Sequence, residues 1–157
     1  MTRINLIDPA ELMDQHLFAE FREIKMIPKS LARSLEAGRK RGNALAWVLG
    51  KVPKYFTLNT GHVSFFYNKG LYLHNRYKLI KVELRKRGIK FDENSELDPD
   101  AILMYHPLLW NDWEPTKEAI QIIRNRIAEK IEIKISWYRM FGTPLSQNPF
   151  AQWLNCS

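Results

Sequence analysis

The chain has one cysteine among its 157 residues, Cys156, so no internal disulfide can hold it together and folding must rest on burial. That usage suits a reducing cytoplasm. No apolar run of about 18 residues occurs, which leaves no candidate transmembrane helix. Asp8, Glu11 and Asp14 also spoil a secretion-signal reading of the start, so no membrane or export segment is expected. The four histidines, with Asp98 and Asp100, lack a tight metal-ligand spacing, which leaves little ground for a metal-dependent nuclease. Charge of one sign is locally missing too. Residues 25–90 hold sixteen Lys and Arg against two acids, while residues 91–116 hold seven acids and no Lys or Arg.

What is present is an apolar content of 45%, with 12% aromatics, enough for one compact domain with a sizeable core. The formal charge of +7 understates the asymmetry: outside residues 91–116 the chain carries 24 bases against 10 acids, a net +14. Such a field suits a polyanion, and nucleic acid is the commonest one inside cells; acidic proteins and anionic membranes match the same charge.

Local patterning is helical. Asp8-Pro9-Ala10-Glu11 reads as an N-cap, a proline at the first helical position and an acid at N3, opening a helix to about Ile24. Along it Met13, Leu17, Phe21 and Ile24 face a core, and His16, Glu20 and Glu23 form another stripe. A short helix from Pro28 to about Ala37 precedes Gly38 and Arg39-Lys40-Arg41. The loop-rich stretch to Gly61 then holds Trp47, Tyr55 and Phe56, read as packing aromatics. A long helix from Val63 or Phe65 to Arg87, with Gly70 in its first turns, ends at Gly88. Its apolar stripe is Leu73, Tyr77, Ile80 and Leu84. Its polar stripe, His74, Lys78, Lys81 and Arg85, reads either as a phosphate track or as a solvated face. Residues 89–114 read as loop with short turns. A last helix from Pro115 to about Ile133 turns Ile120, Ile123, Ile127 and Ile131 inward, with Arg126 and Lys130 four apart on one outer face, where pairing with Glu129 and Glu132 is the ordinary role. The fold expected is all-α: a single compact domain of about three main helices with long loops, the N-terminal segment packed between helices.

The start of the chain carries a chemical possibility. A small residue at position 2 permits removal of Met1, which would leave Thr2 with a free α-amine. Such an amine titrates near about 7.7–8.0, against about 10.4 for lysine, so a useful fraction is neutral and nucleophilic at physiological pH. Arg3 and Arg22 would lower it further by repelling the ammonium form. The plainer reading is a frayed terminus.

Thr2-Arg3-Ile4-Asn5-Leu6, then Glu11-Leu12, Asp14-Gln15-His16-Leu17, Ala19-Glu20 and Arg22-Glu23, resemble the pyrimidine-dimer DNA glycosylase/AP lyase family, the phage-type endonuclease V. Gly61-His62-Val63 with Phe65-Phe66-Tyr67, Arg126 with Glu129-Lys130-Ile131, and Trp137-Tyr138 continue the match in the same order. It covers about residues 1–142, with residues 143–157 as an extension of unread role. The resemblance implies a DNA-repair enzyme acting as a monomer on ultraviolet-damaged double-stranded DNA, with Thr2 as nucleophile and Glu23 as the catalytic carboxylate. Arg3, Gln15, His16, Arg22, Arg126 and Lys130 would hold DNA, and no metal or cofactor is required. One departure stands out: where the family often has leucine-proline-arginine after the glutamate, this chain reads Ile24-Lys25-Met26-Ile27-Pro28. The alternative weighed against catalysis is a basic helical DNA-binding protein that shares the fold without turnover. Trp137 reads as packing; Tyr138 and Arg139 fit either packing or DNA contact.

Overall fold

The structure, a computed structural model, describes residues 4–145; Thr2, Arg3 and the tail beyond Leu145 lie outside the described residues. It is mainly helical. A 3-10 turn at Pro9–Glu11 leads to α1 (Asp14–Glu23), α2 (Met26–Lys40), α3 (Ala44–Leu49), α4 (His62–Phe65), α5 (Gly70–Lys86) and α6 (Lys117–Ile133). Two strands, β1 (Arg139–Met140) and β2 (Thr143–Pro144), close the described chain as an antiparallel hairpin.

The first expected helix is broken, and the reason is visible. Asp8 does cap, accepting from the Ala10 N–H at 2.9 Å. The chain then turns extended at Leu12 and Met13, both fully buried. The Arg87 guanidinium donates to the carbonyls of Pro9, Ala10 and Leu12, oxygens that a continuous α-helix would have needed for its own ladder. The helix expected over 28–37 is longer than its apolar spacing suggested, and the loop-rich stretch contains α3, capped by Asn43, whose Oδ1 accepts from Ala46 N–H at 3.0 Å.

The long helix is divided as well. Phe65, Phe66 and Tyr67 are consecutive and all buried, which one helix face cannot achieve; the turn between α4 and α5 lets all three enter the core. The Phe65 and Phe66 rings join Phe56, Tyr72 and Trp113 in a largely edge-to-face cluster, and the Tyr67 hydroxyl lies 2.7 Å from Ser30 Oγ on α2. Gly88, at φ +69°, ends the element as expected. In α6 the Thr116 hydroxyl caps Ala119 N–H at 3.1 Å, and Ile123, Ile127 and Ile131 are buried as their spacing predicts.

The hairpin was not foreseen. Phe141 at φ +52° and Gly142 at φ +77° form a two-residue turn with both centres left-handed, the arrangement whose twist suits a tight hairpin. The Asp14 carboxylate accepts from both of their N–H groups, at 3.1 and 2.8 Å. The expected boundary after Gly142 therefore falls at this turn, and Leu145 beyond it is fully buried.

Candidate active site

The N-terminal segment is clamped between helices by a buried polar network. The Ile4 N–H donates to His62 Nε2 at 3.3 Å, and His62 Nδ1 lies 2.8 Å from the Thr57 carbonyl; together these place the ring proton on Nδ1. Asn5 donates twice to Glu20 Oε1 on α1, from its backbone and from its side-chain amide, each at 2.8 Å. Arg76 on α5 completes the site with Nε 2.7 Å from Glu20 Oε2 and Nη2 3.1 Å from Oε1, and Nη1 donates to the Ile7 carbonyl. Glu20 is 0% exposed, a burial tolerable only because every carboxylate oxygen is paired and hydrogen-bonded. Leu6 is held at φ +60°, a left-handed conformation a leucine adopts only where its neighbours are fixed, as Asn5 and Ile7 are here.

Glu23 lies one turn further along α1. Its surroundings are opposite in kind. Its Oε2 is buried and has no hydrogen-bond partner among the described residues. Lys130 of α6 is near enough to sense it. Burial lowers the Lys130 ammonium below the usual lysine range and repulsion from Arg126 adds to that, while Glu23 and Glu129 pull the other way.

Between α1 and the segment leading into β1 lies a cavity of about 360 Å³, lined by Gln15, His16, Arg22, Lys130, Trp137 and Tyr138. The His16 ring stacks on Tyr138 with centroids 4.7 Å apart, and neither of its nitrogens is hydrogen-bonded among the described residues. Burial, assisted by Lys130, brings its pKa down to about 4, so the ring is neutral at pH 7. Trp137 packs edge-on against Tyr138 at 5.0 Å. It is nonetheless 55% exposed, which corrects the expectation that it packs in the core: its indole forms an open wall.

A half-buried carboxylate with one buried oxygen unbonded among the described residues, near a cationic and aromatic cavity, is suited to chemistry on an electron-poor centre in an anionic polymer. The family model described as pyrimidine dimer DNA glycosylase matches residues 1–97. The chain belongs to that family. It is thus a DNA-repair glycosylase in kind, and its partner is DNA containing pyrimidine dimers. The matched span of the glycosylase takes in Glu20, Glu23, His62 and Arg76 and ends before α6 and the hairpin. No helix among the described residues is long and apolar enough to cross a membrane.

The remaining sequence-derived positions of the glycosylase are distributed unevenly. Gln15, His16, Arg22 and Lys130 meet at the cavity, whereas Thr2 and Arg3 lie outside the described residues. Both polar ends of Gln15 serve the hairpin, donating to the Trp137 carbonyl at 2.6 Å and accepting from Arg139 N–H at 3.0 Å. Arg126 sits 3.6 Å from Glu129 on the helix surface, the ordinary pairing set beside DNA contact above. The proposed phosphate track on α5 is half occupied. Arg85 forks onto Glu93, and Lys81 donates to the carbonyls of Glu93 and Ser95, so these two hold down the acidic segment. Lys25 points the same way, donating to Ser95 Oγ, and so turns its charge toward the acidic segment. Asp98 uses both oxygens to accept from Ile102 and Leu103 N–H, and no group of three or more His, Cys, Asp or Glu among the described residues is placed to hold a metal.

The sequence reading assigned no structural role to three positions that organise the site: Arg76, Arg87 and Asp14, the last named only as part of the matched motif. Arg76 had a usable signal, since it falls within the apolar stripe of α5, between Leu73 and Tyr77, where a cation is out of place unless paired. Asp14 and Arg87 act through the chain's tertiary path, 2.9 Å from each other, and have no local signature.

Proposed function

We propose that the protein excises cyclobutane pyrimidine dimers from ultraviolet-damaged duplex DNA and then cuts the strand, using the α-amine of Thr2 exposed by removal of Met1. The neutral amine attacks C1′ of the 5′ sugar of the dimer. The N-glycosidic bond breaks and its electron pair leaves with the base. The nitrogen gives up a proton and its lone pair opens the sugar ring, the C1′–O4′ electron pair going to O4′, which is protonated; the iminium so formed acidifies the C2′ proton, and loss of that proton expels the 3′ phosphate oxygen by β-elimination. Glu23 stabilises the cationic sugar and moves the proton. Arg3, Gln15, His16, Arg22, Arg126 and Lys130 make up the DNA-holding set, with Gln15 acting on the cavity wall and the cations on phosphates.

The observation that carries this reading is the unequal treatment of two glutamates on one helix face. Asn5 is tied to Glu20, and Glu23, one turn away, keeps a buried oxygen without a partner among the described residues. One helical turn rises about 5.4 Å. Three residues of chain span up to about 10 Å, so the tether at Asn5 leaves the Thr2 amine within reach of Glu23.

The test is borohydride trapping on a duplex bearing one thymine dimer, with intact mass establishing that Met1 is removed. Wild type is expected to crosslink through Thr2, and Thr2→Pro and Glu23→Gln to lose or weaken the crosslink. A correctly processed protein that retards the duplex but forms no crosslink, on the dimer or on an abasic site, would favour the non-catalytic DNA-binding alternative.

A further inference from the structure

Residues 37–82 contain no Asp or Glu. Within them the corner between α2 and α3, with the loop that follows, gathers cations onto aromatic rings. The Arg41 guanidinium lies 4.2 Å from the Trp47 ring centre and the Lys51 ammonium 5.0 Å from it. Lys54 stands 5.3 Å from the ring of Tyr55, which is 73% exposed, against the expectation that this tyrosine packs in the core. Rings under ammonium and guanidinium groups orient these side chains while their charges stay in solvent.

The corner is built to be rigid. A Cβ on Gly38 would come within 2.7 Å of Trp47 Cβ and 2.8 Å of the Ala44 Cα, so the glycine is what lets α3 lie directly on α2. Its placement ties it to the site. Tyr55 adjoins Phe56, whose ring packs edge-on against His62 at 5.4 Å, and His62 accepts the Ile4 N–H. The cationic corner therefore continues, through one loop, from the anchor of the N-terminal segment.

We propose that Arg41, Lys51, Lys54 and Tyr55 form a second DNA-contacting surface, which grips the phosphates of the duplex flanking the lesion and strengthens binding to undamaged DNA. The proposal rests on the DNA-repair reading above and adds to it a surface apart from the cavity of α1 and α6. Three cations without a local carboxylate complement a polyanion, and the exposed tyrosine supplies a flat face against the sugar-phosphate edge. Contacts of this kind carry no base specificity, so their effect falls on the search for damage and leaves the chemical step alone.

The experiment measures affinity for an undamaged duplex as a function of salt, together with single-turnover cleavage of a dimer duplex at saturating enzyme. Three proteins are compared: wild type, Arg41→Ala/Lys51→Ala/Lys54→Ala, and a control of equal charge change, Lys86→Ala/Lys90→Ala/Lys117→Ala. The first triple variant is expected to weaken binding about 10–100-fold at low salt and to lower the log–log salt slope by about 2–3, near 0.9 per contact removed. Its cleavage rate at saturation should match wild type. Tyr55→Ala is expected to weaken binding by a few-fold, about 2–10. Unchanged binding, an equal loss in the control, or a fall in the saturated cleavage rate would each overturn the proposal. Melting curves for all variants exclude unfolding as the source of a loss. If wild type itself neither bound nor cut the dimer duplex, the underlying functional reading would fail instead, and the two failures are distinguishable.

Discussion

Glu20 and Glu23 sit one turn apart on the same helix and answer to different demands. Around Glu20 the chain has closed every opening: Asn5 from the N-terminal segment and Arg76 from α5 engage both oxygens, and no surface remains. Around Glu23 the described chain supplies no hydrogen bond to Oε2, and the neighbouring cavity is walled by His16, Lys130 and the exposed Trp137. A charge kept for architecture is neutralised by its own fold. Glu23, to which we assign the chemistry, keeps one buried oxygen without a hydrogen bond among the described residues, at a cost in stability. The contrast extends to the basic residues: Arg76 and Arg87 are buried and paired, whereas Arg41, Lys51 and Lys54 lie exposed on aromatic rings.

The comparison breaks most readily at Glu20. Glu20→Ala or Arg76→Ala strands a buried charge and is expected to lower stability by about 3–5 kcal/mol, read from denaturant or thermal unfolding, with activity lost as the fold is lost. Glu23→Gln should do the reverse, leaving the unfolding midpoint equal or higher while cutting single-turnover excision about 10²–10⁴-fold. If the two substitutions proved alike in stability, the division between architectural and chemical glutamates would be wrong.

A smaller effect concerns pH. His16 has its pKa lowered to about 4 by burial first and Lys130 second, against 6.5 ordinarily. Between those values the unfolded chain binds the proton that the folded chain refuses. The stability associated with a neutral His16 is thus complete above pH 6.5 and is lost as pH falls toward 4, by up to about 3 kcal/mol. His16→Phe should flatten unfolding curves across that window; an unaltered pH profile would show that the ring is not held neutral.

Asp14→Ala removes acceptors from the Phe141 and Gly142 N–H groups and from Arg87, and should cost about 1–3 kcal/mol. Because the hairpin carries the cavity wall, weaker DNA binding should accompany it. The smallest effect is at the surface pair Arg85–Glu93, solvent-exposed on both sides. Replacing Glu93 with Gln should leave the melting midpoint unchanged, since salt and water screen such pairs.

Much of this architecture was legible in the chain before its shape was known. The helix end at Gly88 and the inward isoleucine spacing of α6 depend on neighbours a few residues away, and those rules acted as written; the Asp8 cap formed as well but opened only a 3-10 turn. The meeting of Gln15, His16, Arg22 and Lys130 was legible only by resemblance. What local rules missed were breaks imposed from afar: Arg87 taking the carbonyls that a longer first helix needed, and three consecutive aromatics dividing a helix in order to be buried together. Trp137 and Tyr55 were misjudged for the same reason, since an aromatic's exposure depends on what the fold sets against it.

The sequence by itself determined a helical protein with a basic body, an acidic segment, and a start whose residues carry the family's pattern, because helix propensity, charge and motif are properties of short stretches. The tertiary structure decided which of two equivalent glutamates is closed and which retains a buried oxygen with no hydrogen bond among the described residues. It also decided that the α5 cations hold the acidic segment and that the α2–α3 corner leaves its cations to solvent. Those outcomes rest on contacts between residues tens of positions apart, and only packing brings such partners together.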